Sequence, residues 1–246
     1  MKRTGIHIKS NGGSMMCCVR YGGCYDVDVY FPRYDWLAKH VQYANFKNGS
    51  VKCPYEPTVF GHGYIGEGAY KTRENNKPTR VYTTWTNMFQ RCYDPKYHEK
   101  EPSYIGCEVC EEWCNFQFFA EWYEQNYYEI DKQRMALDKD ILVKGNKLYS
   151  PETCCFVPQS INTLFIKRDA LRGALPIGVS YNKQYKKYTA SCNNKCLGKY
   201  DTPEEAFNSY KQFKEAFVKK VADQYKDLIP EKLYNAMYEY EVDIDD

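Results

Sequence analysis

The stretch from Pro176 to Tyr210 reads PIGVSYNKQYKKYTASCNNKCLGKYDTPEEAFNSY. Ile177–Tyr181, Lys187–Cys192 and Lys195–Tyr200 read as short strands, and the links NKQYK and NN between them have turn composition. A helix follows at once. Thr202 takes the N-cap, Pro203 the first helical position, and Glu205 completes a T-x-x-E capping box. Ala206, Tyr210, Phe213 and Phe217 then recur at helical spacing and form one buried stripe. The stretch is therefore read as a three-stranded antiparallel sheet backed by one long helix.

The rest of the 246-residue chain divides around it into an α+β protein of two or three small domains. Residues 1–55 alternate short Val-, Tyr- and Cys-rich runs with Gly pairs and read as a small β domain. Residues 56–80 read as a linker or ordered loop. Its GHGYIGEG string lacks the strand–helix context of a phosphate loop. Residues 81–170 read as a helical region with a ββα segment near its end. Helices are expected over Tyr82–Tyr93, with Trp85, Met88, Phe89 and Cys92 inward, and over Glu111–Tyr128, with Trp113, Phe116, Ala120, Tyr123 and Tyr127 inward. Residues 171–226 hold the sheet-and-helix module, and 227–246 read as an acidic C-terminal tail.

The net charge of +2 hides a polarised distribution. Phe165–Lys226 carries 13 Lys/Arg against 6 Asp/Glu, and Asp227–Asp246 carries 1 Lys against 7 Asp/Glu. A basic block followed by acid points to a polyanionic partner, with a tail able to compete for the same surface. The N-terminal residues do not read as a signal peptide and no run nears the length of a membrane span, so the twelve Cys are expected to be reduced thiols. The expected location is cytoplasmic, in the host cell if the chain is phage-encoded.

Gly178-Val179, Tyr188 with Ala190, Leu197-Gly198, Tyr200, and the Thr202–Ala206 helix start followed by Tyr210 resemble the APETALA2/ethylene-response-factor DNA-binding domain over about fifty residues. The resemblance implies a sheet lying in the major groove, which admits a β ribbon. Carried over by position, its outward side chains are Ser180, Asn182, Gln184, Ser191 and Asn193, with Lys183, Lys186, Lys187 and Lys195 close by. The family favours Arg and Trp there. Short amides, hydroxyls and flexible ammonium groups suit phosphate contacts better than bidentate base reading.

Leu137–Asn162, LDKDILVKGNKLYSPETCCFVPQSIN, resembles the HNH nuclease motif, a β hairpin and helix that hold one divalent metal. The resemblance implies Asp138 and Asn162 as metal ligands and Mg²⁺ or Mn²⁺ as the ion, since hard oxygen donors suit both. Lys139 stands at the catalytic position of the general-base His, and Thr153 at that of the middle Asn. A Lys stays protonated unless strongly desolvated. Among His7, His40, His62 and His98, only His98, forty residues upstream, is a candidate that folding brings near. Three states stay open: a metal-dependent nickase with altered chemistry, a degenerate nuclease kept for DNA binding, and a hairpin whose Asp and Asn cap turns. With TTWTNMFQRCYDPKY and CEVCEEWCNFQFFAEWYE, the string from Tyr82 to Tyr225 is similar to phage and mobile-element proteins that join an HNH-like to an APETALA2-like segment.

Cys107-Glu-Val-Cys110 has the spacing of a zinc half-site, with Cys92, Cys114 and Cys154-Cys155 able to complete it. No second C-x₂-C exists, so core thiols are the reading and structural Zn²⁺ its alternative. The expected function is double-stranded DNA binding coupled to strand cleavage in the manner of an HNH homing endonuclease. The contrasting function is a non-catalytic factor, a regulator or an inhibitor of a host defence, with a host or phage protein as partner. Neither involves a membrane.

Overall fold

The structure, a computed structural model, describes residues 3–166 and 175–244. The expected boundary at 170–171, together with Lys167, Arg168 and Arg172 of the basic block, lies outside the described residues. The chain is mixed α and β and forms two compact units: Met1–Asn126 with Lys147–Ser150, and Tyr127–Asn146 with Pro151–Asp246. Among the described residues no helix is long and apolar enough to cross a membrane.

The first unit opens with an antiparallel meander, β1 (His7–Lys9), β2 (Met15–Gly23), β3 (Asp26–Phe31) and β4 (Trp36–Val41), in that spatial order. β3 shows the period of two: Val27, Val29 and Phe31 are fully buried, and Asp26, Asp28 and Tyr30 face the other way. α1 (Tyr43–Lys47) lays Phe46 against them. The Gly-rich loop is held by side chains. Gln117 Oε1 accepts from the Tyr70 N–H at 3.0 Å, and its Nε2 donates to the Ile65 and Tyr70 carbonyls at 3.2 Å each. Side chains of Asn115 and Gln117 press so close to Gly66 and Gly68 that a Cβ would meet them at 2.2 Å. The glycines thus serve a packing purpose.

A small hairpin, β5 (Arg73–Glu74) and β6 (Lys77–Pro78), precedes α2 (Arg80–Tyr93). α2 starts two residues before the expected position because Thr79 caps it, its Oγ1 accepting from the Tyr82 N–H at 3.2 Å. Its Trp85, Met88, Phe89 and Cys92 are buried as their spacing predicts. α3 (Pro95–Lys100) follows. The next helix is shorter than expected. Glu112–Cys114 makes a single 3₁₀ turn, Asn115 is extended and its side chain accepts from the Gln117 N–H, and α4 runs only over Phe116–Asn126. Trp113, Phe116, Ala120 and Tyr123 are buried, while Tyr127 falls beyond the helix end. A parallel pair of β7 (Glu108–Val109) with β9 (Leu148–Tyr149) draws Lys147–Ser150 into this unit, which cuts through the expected 81–170 region.

The second unit holds β8 (Met135–Asp138) paired antiparallel with β10 (Cys155–Pro158), then the single turn α5 (Gln159–Asn162). A three-stranded antiparallel sheet follows, β11 (Val179–Asn182), β12 (Lys187–Cys192) and β13 (Lys195–Tyr200). The capping box at Thr202 forms in both directions and starts α6, Pro203–Tyr225. At 23 residues α6 is about 34 Å long.

α6 serves two cores. Ala206, Phe207 and Tyr210 pack with Val179, Ala190 and Cys192 of the sheet. Val218 and Ala222 pack with Cys155, Val157 and Ile161 of the ββα segment. The buried positions Ala206, Tyr210, Lys214, Val218 and Ala222 step by four. At ~100° per residue that row winds about 160° around the helix between its ends, so the contact with the sheet passes gradually round the helix into the contact with the ββα segment. A straight stripe would have buried Phe217; Val218 takes that place. The expected separation of 81–170 from 171–226 therefore does not hold: the ββα segment and the sheet share one helix.

The expected acidic tail is also corrected. Glu231–Tyr238 forms α7, which buries Leu233 and Met237. Val242 is buried, its N–H donating to Glu215 Oε1 at 2.9 Å and its carbonyl accepting from Lys211 Nζ at 2.8 Å. Ile229, Leu233 and Met237 recur every four residues among the acids and supply the apolar face that counting charge overlooks.

Gly178 carries φ +77°, and a Cβ there would lie 2.0 Å from the Tyr210 ring of α6. Gly178→Ala is expected to destabilise the second unit by about 2–4 kcal/mol, combining a left-handed φ penalty with overpacking. Urea denaturation checks this; a loss below about 1 kcal/mol would contradict the close approach.

Candidate nucleic-acid interface

Alternation along the three strands sorts the sheet into two faces. Val179, Ala190 and Cys192 point into the α6 core, with Tyr188, Leu197 and Tyr200 around them. Their neighbours point outward. Register aligns Ser180, Thr189 and Lys199 in one row, Asn182 with Lys187 in the next, and Ser191 with Cys196 across a bulge. The outward face is polar and cationic because its inner face alone carries the packing.

The turns set the rim. Asn182 Oδ1 accepts from the Gln184 and Tyr185 N–H groups at 3.0 and 3.2 Å, so this side chain holds the β11–β12 turn. Lys183, Gln184 and Lys186 are exposed beyond it, and Lys186 takes φ +51°. Asn193 and Asn194 take φ +49° and +61° and close the β12–β13 hairpin as a type I′ turn. Lys187 is ion-paired with Asp201.

Lys195 is a correction. It pairs with Cys192, which is buried on the helix side, so Lys195 shares that side and sits 5.3 Å from the Phe213 ring centre. It does not belong to the outward face. Two residues missing from the expected set do. Lys199 Nζ lies 3.4 Å above the ring centre of Tyr185, an exposed residue of the first turn. The Thr189 hydroxyl is shielded from solvent and has no hydrogen-bond partner among the described residues, a condition that costs stability. Strand alternation anchored on Ala190 would have found both.

The ββα segment places its residues differently. Asp138 ends β8 opposite Cys155, three residues along β10 from Pro158, where the chain turns into α5. Asp138 Oδ1 accepts from the Asp140 and Ile141 N–H groups at 3.0 and 2.8 Å. Burial, then the adjacent Asp140 carboxylate, pushes its pKa up to about 6. Asn162 is the last residue of α5 and is half-buried. No hydrogen bond joins the Asp138 and Asn162 side chains among the described residues. Lys139 is buried; its Nζ donates to Asp140 Oδ2 at 3.1 Å and to the Asn146 carbonyl at 3.0 Å. Asn146 Nδ2 returns a bond to the Lys139 carbonyl at 2.7 Å. Lys139 is thus a strut that closes the 139–146 loop, and an ammonium donating to a carboxylate has no lone pair with which to accept a proton. His98 Nε2 donates to the Arg91 carbonyl at 2.8 Å within the first unit.

Among the described residues, the His, Cys, Asp and Glu side chains that converge in threes are Asp26, Asp28 and His40. Arg20 donates to both carboxylates, at 2.6–2.9 Å, and holds both acids well below the usual range. The group is an ion-pair network closed by its own cation. The Cys107–Cys110 half-site is not among such clusters. Comparison with protein-family models, curated proteins and solved structures finds no match.

The raised pKa of Asp138 fixes a sign. Its carboxyl favours the proton more in the folded state than in the unfolded one, so its contribution is most favourable below pH 4 and is lost as pH rises to about 6. Asp138→Asn keeps an oxygen for the two N–H groups. It is expected to raise stability at pH 8 by roughly 2 kcal/mol and to leave pH 4 nearly unchanged. Denaturation at both pH values checks this; an equal shift at each would refute the burial account.

Proposed function

We propose that the chain binds double-stranded DNA through the outward face of β11–β13. The observation that carries this reading is the two-faced sheet: α6 seals one side, and the other presents Ser180, Thr189, Ser191 and Lys199, with Lys183 and Lys186 at the rim. A twisted ribbon of this width enters the major groove, and the exposed Ser180 and Ser191 hydroxyls suit base edges or phosphate oxygens. The resemblance of this stretch to the APETALA2-like pattern is a further support for the reading. Ammonium groups on flexible stems, unassisted by Arg, favour backbone contact and weak sequence discrimination. The logarithm of DNA affinity is expected to fall linearly with the logarithm of salt concentration. Replacing Lys183, Lys186 and Lys199 by Gln should flatten that slope by about 2–3 without changing sequence preference. Gel shifts on wild type and variant test this; retention of the full slope would sink the sheet assignment.

A second reading, metal-dependent nicking, rests on the strand–strand–helix order around Asp138 and Asn162. A carboxylate ionised at a cost is relieved by a cation, and Asp138 with the Asn162 amide oxygen would supply hard donors to Mg²⁺ or Mn²⁺. Such an ion would polarise a phosphate oxygen and activate water. The position of the base is filled by Lys139, which is tied into its loop. Wild-type protein is therefore expected to bind supercoiled plasmid and leave it intact with either ion. Nicking that disappears in Asp138→Ala and Asn162→Ala would establish the second reading instead.

A further inference from the structure

The β5–β6 hairpin of the first unit buries none of its side chains: every residue from Arg73 to Pro78 is exposed. A two-stranded ribbon without a packed face is marginal by itself. This one is nonetheless firmly specified. Asn75 and Asn76 take φ +48° and +61°, the type I′ pattern whose twist suits a hairpin. Arg73 Nη1 donates to the Asn76 carbonyl at 3.2 Å. The Thr79 N–H donates to the Thr72 carbonyl at 3.0 Å, and Thr79 Oγ1 to the Lys71 carbonyl at 3.1 Å. The ordered element adds nothing to the core, so its surface is what it offers.

That surface is cationic. Lys71 to Arg80 holds four Lys/Arg and one Asp/Glu. Arg73 stands opposite Pro78 and Lys77 opposite Glu74, so Arg73 and Lys77 project from the two faces of the ribbon, and Lys71 lies two residues before β5. We infer that this hairpin is a second contact for double-stranded DNA, gripping the phosphate backbone through Lys71, Arg73 and Lys77. A narrow ribbon lies along or within a groove, and a guanidinium fork matches phosphate oxygens in pairs. The choice of partner rests on the DNA-binding reading above; the placement of the contact does not, since it lies in the other unit.

The test uses the full chain and a DNA duplex, with fluorescence anisotropy across a potassium chloride series. Lys71→Gln, Arg73→Gln and Lys77→Gln together should reduce the slope of log affinity against log salt by about 2–3. Thermal unfolding should stay at the wild-type temperature, because none of the three is buried. Charge-keeping Lys71→Arg with Lys77→Arg should restore the slope. In a parallel acetylation footprint, duplex DNA should protect Lys71 and Lys77. The hairpin contact is overturned if its neutralised variant keeps the full slope while the sheet variant loses it. If the hairpin variant loses slope and the sheet variant keeps it, the hairpin stands and the sheet reading fails. Absence of wild-type binding at low salt overturns both.

Discussion

The second unit depends on one helix that serves two cores in succession along its length. α6 is long enough, and its buried row winds enough, to seal the three-stranded sheet with its first turns and the β8–β10 hairpin with its last. Lys214 sits between the two contacts, buried, with its Nζ donating to the Leu164 carbonyl at 2.6 Å. Burial lowers its pKa, and the carbonyl is what makes the ammonium tolerable there. The outward sheet face is polar because α6 removes the need for it to be anything else.

Two features of this unit are held against the grain of stability. The Thr189 hydroxyl is shielded and unpaired on the face assigned to DNA. Asp138 is a desolvated carboxylate beside a second acid. Groups of this kind concentrate where a ligand completes the environment, although ion-pair networks perturb acids as well. The Arg20 network in the first unit shows that other case: its carboxylates are stabilised by a resident guanidinium and call for no further cation. The contrast separates Asp138, whose pKa is raised by burial and then by Asp140, from Asp26 and Asp28, whose pKa values are lowered first by Arg20.

Local chemistry was the legible part. The capping box at Thr202, the Asn-Asn turn, the buried spacing of α2 and the alternation of residues 1–55 are short-range signals, and each forms where it was read. What stayed hidden was tertiary. A four-residue step looks like a straight stripe on paper, whereas the buried row winds round α6, so that Val218 and not Phe217 is buried and one helix serves two cores. The C-terminal acids masked the apolar period of α7. Proximity in sequence groups Lys195 with the other lysines, but its register with Cys192 turns it to the helix side. Lys139 looked like a misplaced base, and only the fold shows the Asp140 and Asn146 oxygens that occupy it.

The most direct measurement is amide chemical-shift mapping of the ¹⁵N-labelled chain titrated with duplex DNA. The account predicts the largest changes at Ser180, Thr189, Ser191 and Lys199 and in the turn around Lys183–Lys186, with small ones along the buried side of α6. Shifts that leave β11–β13 untouched while the duplex is bound would contradict it.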